Sequence, residues 1–150
     1  MSEVAPALAG TRPANAKHRV FVVEDHELMR RSIVAALERE PDLAVCGHAG
    51  DVHEALAAIA LVQPDLVLTD VQLKSSSGLD LIKSLHAQSP SLPIVATTMF
   101  DVRRTERLAR AAGAAGFASK QDGPEKLIAT VHEALRAGEP PAEISRGGDT

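Results

Sequence analysis

Tryptophan and tyrosine are missing from this chain, and phenylalanine occurs only three times, as Phe21, Phe100 and Phe117. Ala, Val, Leu and Ile must therefore fill any core, the composition of a parallel sheet covered by helices. Cysteine is nearly absent too: Cys46 stands alone, so no internal disulfide can form. No apolar run approaches the roughly 20 residues that a membrane helix requires. No charged-then-apolar leader marks the N-terminus for secretion, so a soluble cytoplasmic protein without membrane association is expected. Positive charge is not in excess either. The formal net charge is -4, which weighs against a chain built mainly to neutralise nucleic-acid phosphates. No glycine-rich loop precedes a helix, which argues against nucleotide binding. His26, His48, His53, His86 and His132 share no spacing with Cys46 that would suggest zinc.

What is present is the material of one ordinary domain: 150 residues, 45% of them hydrophobic and 24% charged. Residues 1–17 are rich in Ala, Pro and Gly, with no sustained period, and read as a flexible leader. Residues 139–150 read as a flexible tail, which leaves a folded unit over about 18–138. Inside it, short apolar runs alternate with helical stretches. The runs are Arg19–Val23, Leu43–Gly47, Leu66–Thr69, Ile94–Thr97 and Gly116–Ser119. Each is four or five residues long and bounded by polar or Gly/Pro punctuation, as buried strands are. The helical stretches begin with Glu27–Glu40, apolar at Met29, Ile33, Ala36 and Leu37 and stopped by Pro41. A second is capped by Asp51 and ended by Pro64. The third, Leu79–Ala87, groups Leu81, Ile82 and Leu85. The fourth, Val102–Ala112, has Leu108 as its one large apolar residue inside the helix. The fifth opens at Pro124 and closes at Gly138, a glycine suited to a C-terminal cap. Five strand–helix repeats predict an α/β fold: a five-stranded parallel sheet with helices on both faces. Cys46 and His48, two apart in the second strand, are expected on one face as packing and rim residues.

In open parallel sheets, ligands bind beyond the carboxyl ends of the strands. Read in order, those ends carry Glu24 and Asp25, then Asp70, then Thr97 and Thr98, then Lys120. Parallel strands would bring three carboxylates, a hydroxyl and an ammonium to one edge, across sequence gaps of 45, 28 and 22 residues. Three carboxylates repel one another unless a cation sits among them. Oxygen-only donors suit a hard divalent ion, and Mg²⁺, which keeps waters and shares phosphate oxygens, fits best. A carboxylate beside it can attack a phosphoryl group and form an acyl phosphate. Thr98 and Lys120 would then stabilise charge on the phosphoryl oxygens. Each residue alone has a plainer reading: a helix N-terminal charge, a cap, a strand residue or a solvated lysine. It is their joint placement at the ends of strands 1, 3, 4 and 5 that points to chemistry.

The stretches VFVVEDHELMR, PDLVLTDVQLKSSSGLDLI, PIVATTMFD and AAGAAGFASKQ resemble the receiver domain of bacterial response regulators, most closely those of the NarL/FixJ kind. The resemblance covers about Arg19–Gly138 and implies the (βα)5 flavodoxin-like receiver fold. It implies that Asp70 is the phospho-acceptor, that Asp25 binds Mg²⁺ directly and Glu24 through water, and that the backbone carbonyl of Gln72 completes the metal site. It makes Thr98 the switch hydroxyl, Lys120 the phosphoryl-stabilising lysine and Phe117 the aromatic that turns on activation. The donor would be a histidine kinase or a histidine phosphotransfer protein. A homodimer or output partner would use the face formed by helix four, strand five and helix five.

Two departures stand out. Family members usually carry Pro four positions after the acceptor; here Lys74 stands there, followed by Ser75, Ser76 and Ser77. NarL-type receivers normally precede a helix-turn-helix domain of roughly 50–70 residues, whereas about a dozen residues follow Gly138. The expected function is a phosphorylation-dependent switch rather than an enzyme, with no DNA binding by this chain alone. The alternative is the regulatory domain of a helix-turn-helix transcription factor whose DNA-binding domain is absent from this chain. A small Mg²⁺-dependent phosphohydrolase is a weaker rival, since such enzymes carry a second Asp where this chain has Gln72. Arg103, Arg104, Arg107 and Arg110 make the fourth helix basic, either a solvated face or a surface for a partner.

Overall fold

The computed structural model describes residues 16–138. Five strands alternate with five helices: β1 (His18–Val23), α1 (Glu27–Glu38), β2 (Leu43–Ala49), α2 (Val52–Val62), β3 (Leu66–Asp70), α3 (Gly78–Gln88), β4 (Ile94–Thr98), α4 (Val102–Ala112), β5 (Gly116–Ser119) and α5 (Pro124–Gly138). The strands form one sheet in the order β2-β1-β3-β4-β5, with every pairing parallel. This is the flavodoxin-like order. Its chain reversal lies between β1 and β3, where a ligand crevice opens.

The scarcity of aromatics shows in the core. Every residue of β3 and β4 is buried, as expected for central strands covered on both faces. One layer packs α1 and α5, through Ile33, Leu37, Leu127 and Val131, against Val20, Val22, Leu66, Leu68 and Val95. The other packs α2, α3 and α4, through Ala55, Ile59, Leu81, Ile82, Leu85 and Ala109, against Phe21, Val23, Val67, Ile94 and Ala96. Adjacent strand residues serve opposite layers, the period-two logic of a pleated strand.

Helix ends follow local chemistry. The Asp51 carboxylate caps α2 by accepting from the Glu54 N–H at 2.8 Å, and Ser77 caps α3 by accepting from the Leu79 N–H. Helix α1 ends at Glu38, two residues short of the expected Glu40, with Arg39 as its cap. Helix α5 includes Gly138. The flexible leader over 1–17 and the tail over 139–150 fall outside the described residues, apart from Ala16 and Lys17.

One expectation needs correction. Cys46 and His48 do not share a face. The register of β1 against β2 slips between Val20 and Phe21, so Val20 faces Val45 while Phe21 faces Gly47. The extra residue at Cys46 is a bulge, which breaks the alternation. Cys46 packs on the α2–α4 layer, whereas exposed His48 pairs with Val22 of the opposite layer. Gly47 accommodates the Phe21 ring: a Cβ there would lie 2.9 Å from ring carbon Cε2. In α4, Leu108, the one large apolar residue inside the helix, is 43% exposed. The helix packs instead through Thr105, Ala109 and Ala112.

Candidate functional site

Glu24 and Asp25 follow β1 directly, Asp70 ends β3, Thr98 ends β4 and Lys120 follows β5. All five lie on one edge of the sheet because all the strands run the same way. Carboxylate oxygens of Glu24, Asp25 and Asp70 lie within 4.8 Å of one another. Glu24 is only 1% exposed and Asp70 is buried. The Lys120 ammonium bridges them, 2.5 Å from Glu24 Oε1 and 2.8 Å from Asp70 Oδ2.

Backbone donors take three of the four remaining carboxylate oxygens. The Gln72 N–H donates to Asp70 Oδ1 at 2.9 Å and the His26 N–H to Glu24 Oε2 at 3.2 Å. The Lys74 N–H donates to Asp25 Oδ2. Asp25 thus fastens the β3–α3 loop at the position where proline is usual in the family resembled. The Ser76 hydroxyl secures the same loop by accepting from the Val52 N–H at 3.1 Å, at the start of α2.

Burial dominates the electrostatics of Glu24 and pushes its carboxyl above the ordinary carboxylate value, although the hydrogen bond and charge of Lys120 pull the other way. Burial also works to lower Lys120. Its bonds to Asp70 and Glu24 outweigh that, and the ammonium is held above the ordinary lysine value. The site is thus an anionic pocket only partly neutralised by one lysine. Its oxygen-only donor set fits a hard divalent cation such as Mg²⁺.

Thr98 is fully buried. Its hydroxyl lies 3.0 Å from Gln72 Oε1 and 2.9 Å from the Phe100 carbonyl oxygen. It is engaged with those groups rather than with Asp70. Phe117 is half-buried against the α2–α4 layer. It also borders a cleft of about 360 Å³ between α4, β5 and α5, together with Val102, Glu106, Arg110, Lys126 and Glu133.

Comparison with known proteins agrees with this geometry. The model of the response regulator receiver domain matches residues 20–132. The chain belongs to the response regulator receiver domain family. It is 36% identical over 115 residues to the DNA-binding transcriptional activator DevR/DosR of Mycobacterium tuberculosis, covering 77% of this chain and 53% of that protein. It is 33% identical over 126 residues to the nitrate/nitrite response regulator NarP of Escherichia coli, covering 84% and 57% respectively. A two-component response regulator of the LuxR family from Aurantimonas superposes with a TM-score of 0.78 at 26% identity, covering 81% of this chain and 87% of that one. The chain spans about half the length of these curated relatives. Phosphorylation and Mg²⁺ binding are typical of receivers in two-component systems.

In this receiver Glu24, Asp25, Asp70 and Lys120 converge, and Gln72 and Thr98 join them at the rim. Phe117 stands apart, in the layer behind. Sequence reasoning missed three supporting groups. Gly78, the first residue of α3, lies so close to β3 that a Cβ there would collide with the Asp70 carbonyl oxygen. Its own N–H donates to the Val71 carbonyl at 2.9 Å. Ser76 caps a helix distant in sequence, and only the three-serine run hinted at a capping loop. The Gln121 side chain donates to the Met99 carbonyl at 2.8 Å, a bond with no sequence signal.

Proposed function

We propose that this receiver is switched by transfer of a phosphoryl group to Asp70. The observation carrying this reading is the Lys120 ammonium held between Asp70 and Glu24, with Asp25 completing an acidic triad. The donor is a phosphohistidine of a histidine kinase or histidine phosphotransfer protein. An Asp70 carboxylate oxygen attacks phosphorus; the new P–O bond forms as the P–N bond breaks, and the imidazole leaves with the electron pair and takes up a proton. Asp25, Asp70 and the Gln72 backbone carbonyl would hold Mg²⁺, and Glu24 would support it through water. When bound, the ion neutralises charge on the incoming phosphoryl oxygens.

Lys120 then turns one of its donors toward the phosphoryl group, a charge-assisted bond. Modification adds about -1.5 to -2 charges at Asp70. Thr98 moves its hydroxyl onto a phosphoryl oxygen, Phe117 turns inward, and the cleft between α4, β5 and α5 changes shape. That face is the surface for an output partner or a second copy of the chain. The reading makes this a cytoplasmic signalling domain and not a catalyst in its own right. Among the described residues no helix is long and apolar enough to cross a membrane. The likeness to DevR/DosR and NarP favours a second reading, in which this receiver regulates a helix-turn-helix DNA-binding domain; this chain alone is not expected to bind DNA.

The metal role has a direct test. Acetyl phosphate should label the protein in Mg²⁺ and not in EDTA, and Asp25→Ala should lose most of the metal-dependent rate. Equal labelling in EDTA would remove the metal from the account.

A further inference from the structure

The loop from Thr98 to Asp101, which joins β4 to α4, is tied down from both sides of the acceptor site. On one side the Gln72 amide oxygen lies 3.0 Å from the Thr98 hydroxyl. On the other the Gln121 amide nitrogen donates to the Met99 carbonyl at 2.8 Å. Each glutamine stands beside a residue that handles the phosphoryl group. Gln72 is two residues past Asp70 and its N–H holds Asp70 Oδ1. Gln121 follows Lys120, and its own N–H is fixed by the Ser119 hydroxyl at 3.2 Å. The loop is strained as well as tied. Asp101, the residue before α4, has φ 51° and ψ 51°, the left-handed region, and its side chain makes no cap bond. Strain of this sort persists only where the surroundings hold it, and it gathers at switch segments.

A threonine hydroxyl has one proton to give. In the present arrangement it goes to Gln72 Oε1 or to the Phe100 carbonyl, while the oxygen accepts from the Phe100 N–H at 3.3 Å. For Thr98 to bond a phosphoryl oxygen on Asp70, that proton must leave Gln72 or the Phe100 carbonyl, and a loop that moves with it must leave Gln121.

We propose that Gln72 and Gln121 form a two-point clamp that holds the β4–α4 loop in its unphosphorylated position and sets how strong a phosphoryl ligand must be to switch it. The inference rests on the reading of Asp70 as acceptor and Thr98 as the moving hydroxyl. Gln72 and Gln121 are positioning residues in it: they act on Thr98 and Met99, not on the phosphoryl group. A ligand shifts a two-state element only by its differential affinity for the two states. Contacts made only in the resting state therefore weaken apparent binding of whatever favours the other. The clamp raises the threshold without touching the acidic triad.

Gln121 is the residue to test, because it is exposed and bonds outside the metal site. The probe is beryllofluoride, a tetrahedral mimic of the phosphoryl group, titrated at saturating Mg²⁺ into the full chain and followed by backbone amide shifts across residues 94–105. Gln121→Ala should lower the midpoint by about two- to twelve-fold, the range spanned by one ordinary net hydrogen bond. Mg²⁺ affinity should be unchanged. Without beryllofluoride, the Phe100 amide, which reports the resting Thr98 bond, should exchange faster in the variant than in the wild type. An unchanged or raised midpoint, with the wild type responding, would overturn the clamp. So would a lowered midpoint accompanied by a change in Mg²⁺ affinity. If the wild type shows no response to beryllofluoride, the acceptor reading itself fails and the clamp falls with it.

Discussion

Among the described residues Lys120 is the one cation bonded to both buried carboxylates, Glu24 and Asp70, and this makes its removal informative. Lys120→Met would preserve much of the apolar stem and leave two carboxylates facing each other with no counter-charge. Breaking a buried pair from one side costs about 3–5 kcal/mol, so the urea midpoint of metal-free Lys120→Met should fall sharply. Mg²⁺ should restore part of that loss by binding only the folded state. The pH dependence has a definite sign. The folded Lys120 is held above the ordinary lysine value of 10.5, so its stabilisation is fully present below 10.5 and disappears as pH rises through the higher folded value. As pH rises from neutrality, the stability gap between wild type and Lys120→Met should therefore narrow only in strongly alkaline solution. A gap that closed near neutrality would mean that the bridge contributes little. Asp25, Asp70 and Lys120 were legible from sequence because each sits at a strand end, and parallel topology alone brings strand ends together. The Gln72–Thr98 and Gln121–Met99 bonds were not, since amide side chains on loops carry no periodicity that says where they point.

At the scale of elements, the placement of Asp70 depends on how tightly α3 closes on β3. Gly78 permits that approach, and a methyl group there must push against the Asp70 backbone. Gly78→Ala should cost about 1–3 kcal/mol, as overpacking does. It should also slow labelling by acetyl phosphate more than the loss of stability explains, because the displaced group is the acceptor's own backbone. Stability from urea denaturation and labelling rate at a temperature where the variant is fully folded separate the two effects. All ten elements were legible in sequence, the strands to within two residues, because short apolar runs between helical stretches leave few alternatives. The bulge at Cys46 was not, since one extra residue in an edge strand changes pairing without changing composition. The packing of α4 through Thr105, Ala109 and Ala112 was missed for a related reason. Small residues bury a helix by letting it lie close, and a search for large apolar side chains selects Leu108, which faces outward instead.

At the scale of the molecule, the two helical layers hold the sheet rigid while one edge carries the chemistry. The fold explains why residues as distant as Glu24 and Lys120 share one bond network, and membership of the receiver family explains what such a network is typically for. The proposed switch depends on one residue taking the phosphoryl group, and mass measurement after incubation with acetyl phosphate and Mg²⁺ tests that most directly. Wild type should gain a single acid-stable, base-labile phosphoryl group, and Asp70→Asn, which keeps the shape and removes the nucleophile, should gain none. Labelling of Asp70→Asn at the wild-type rate and extent would contradict the account.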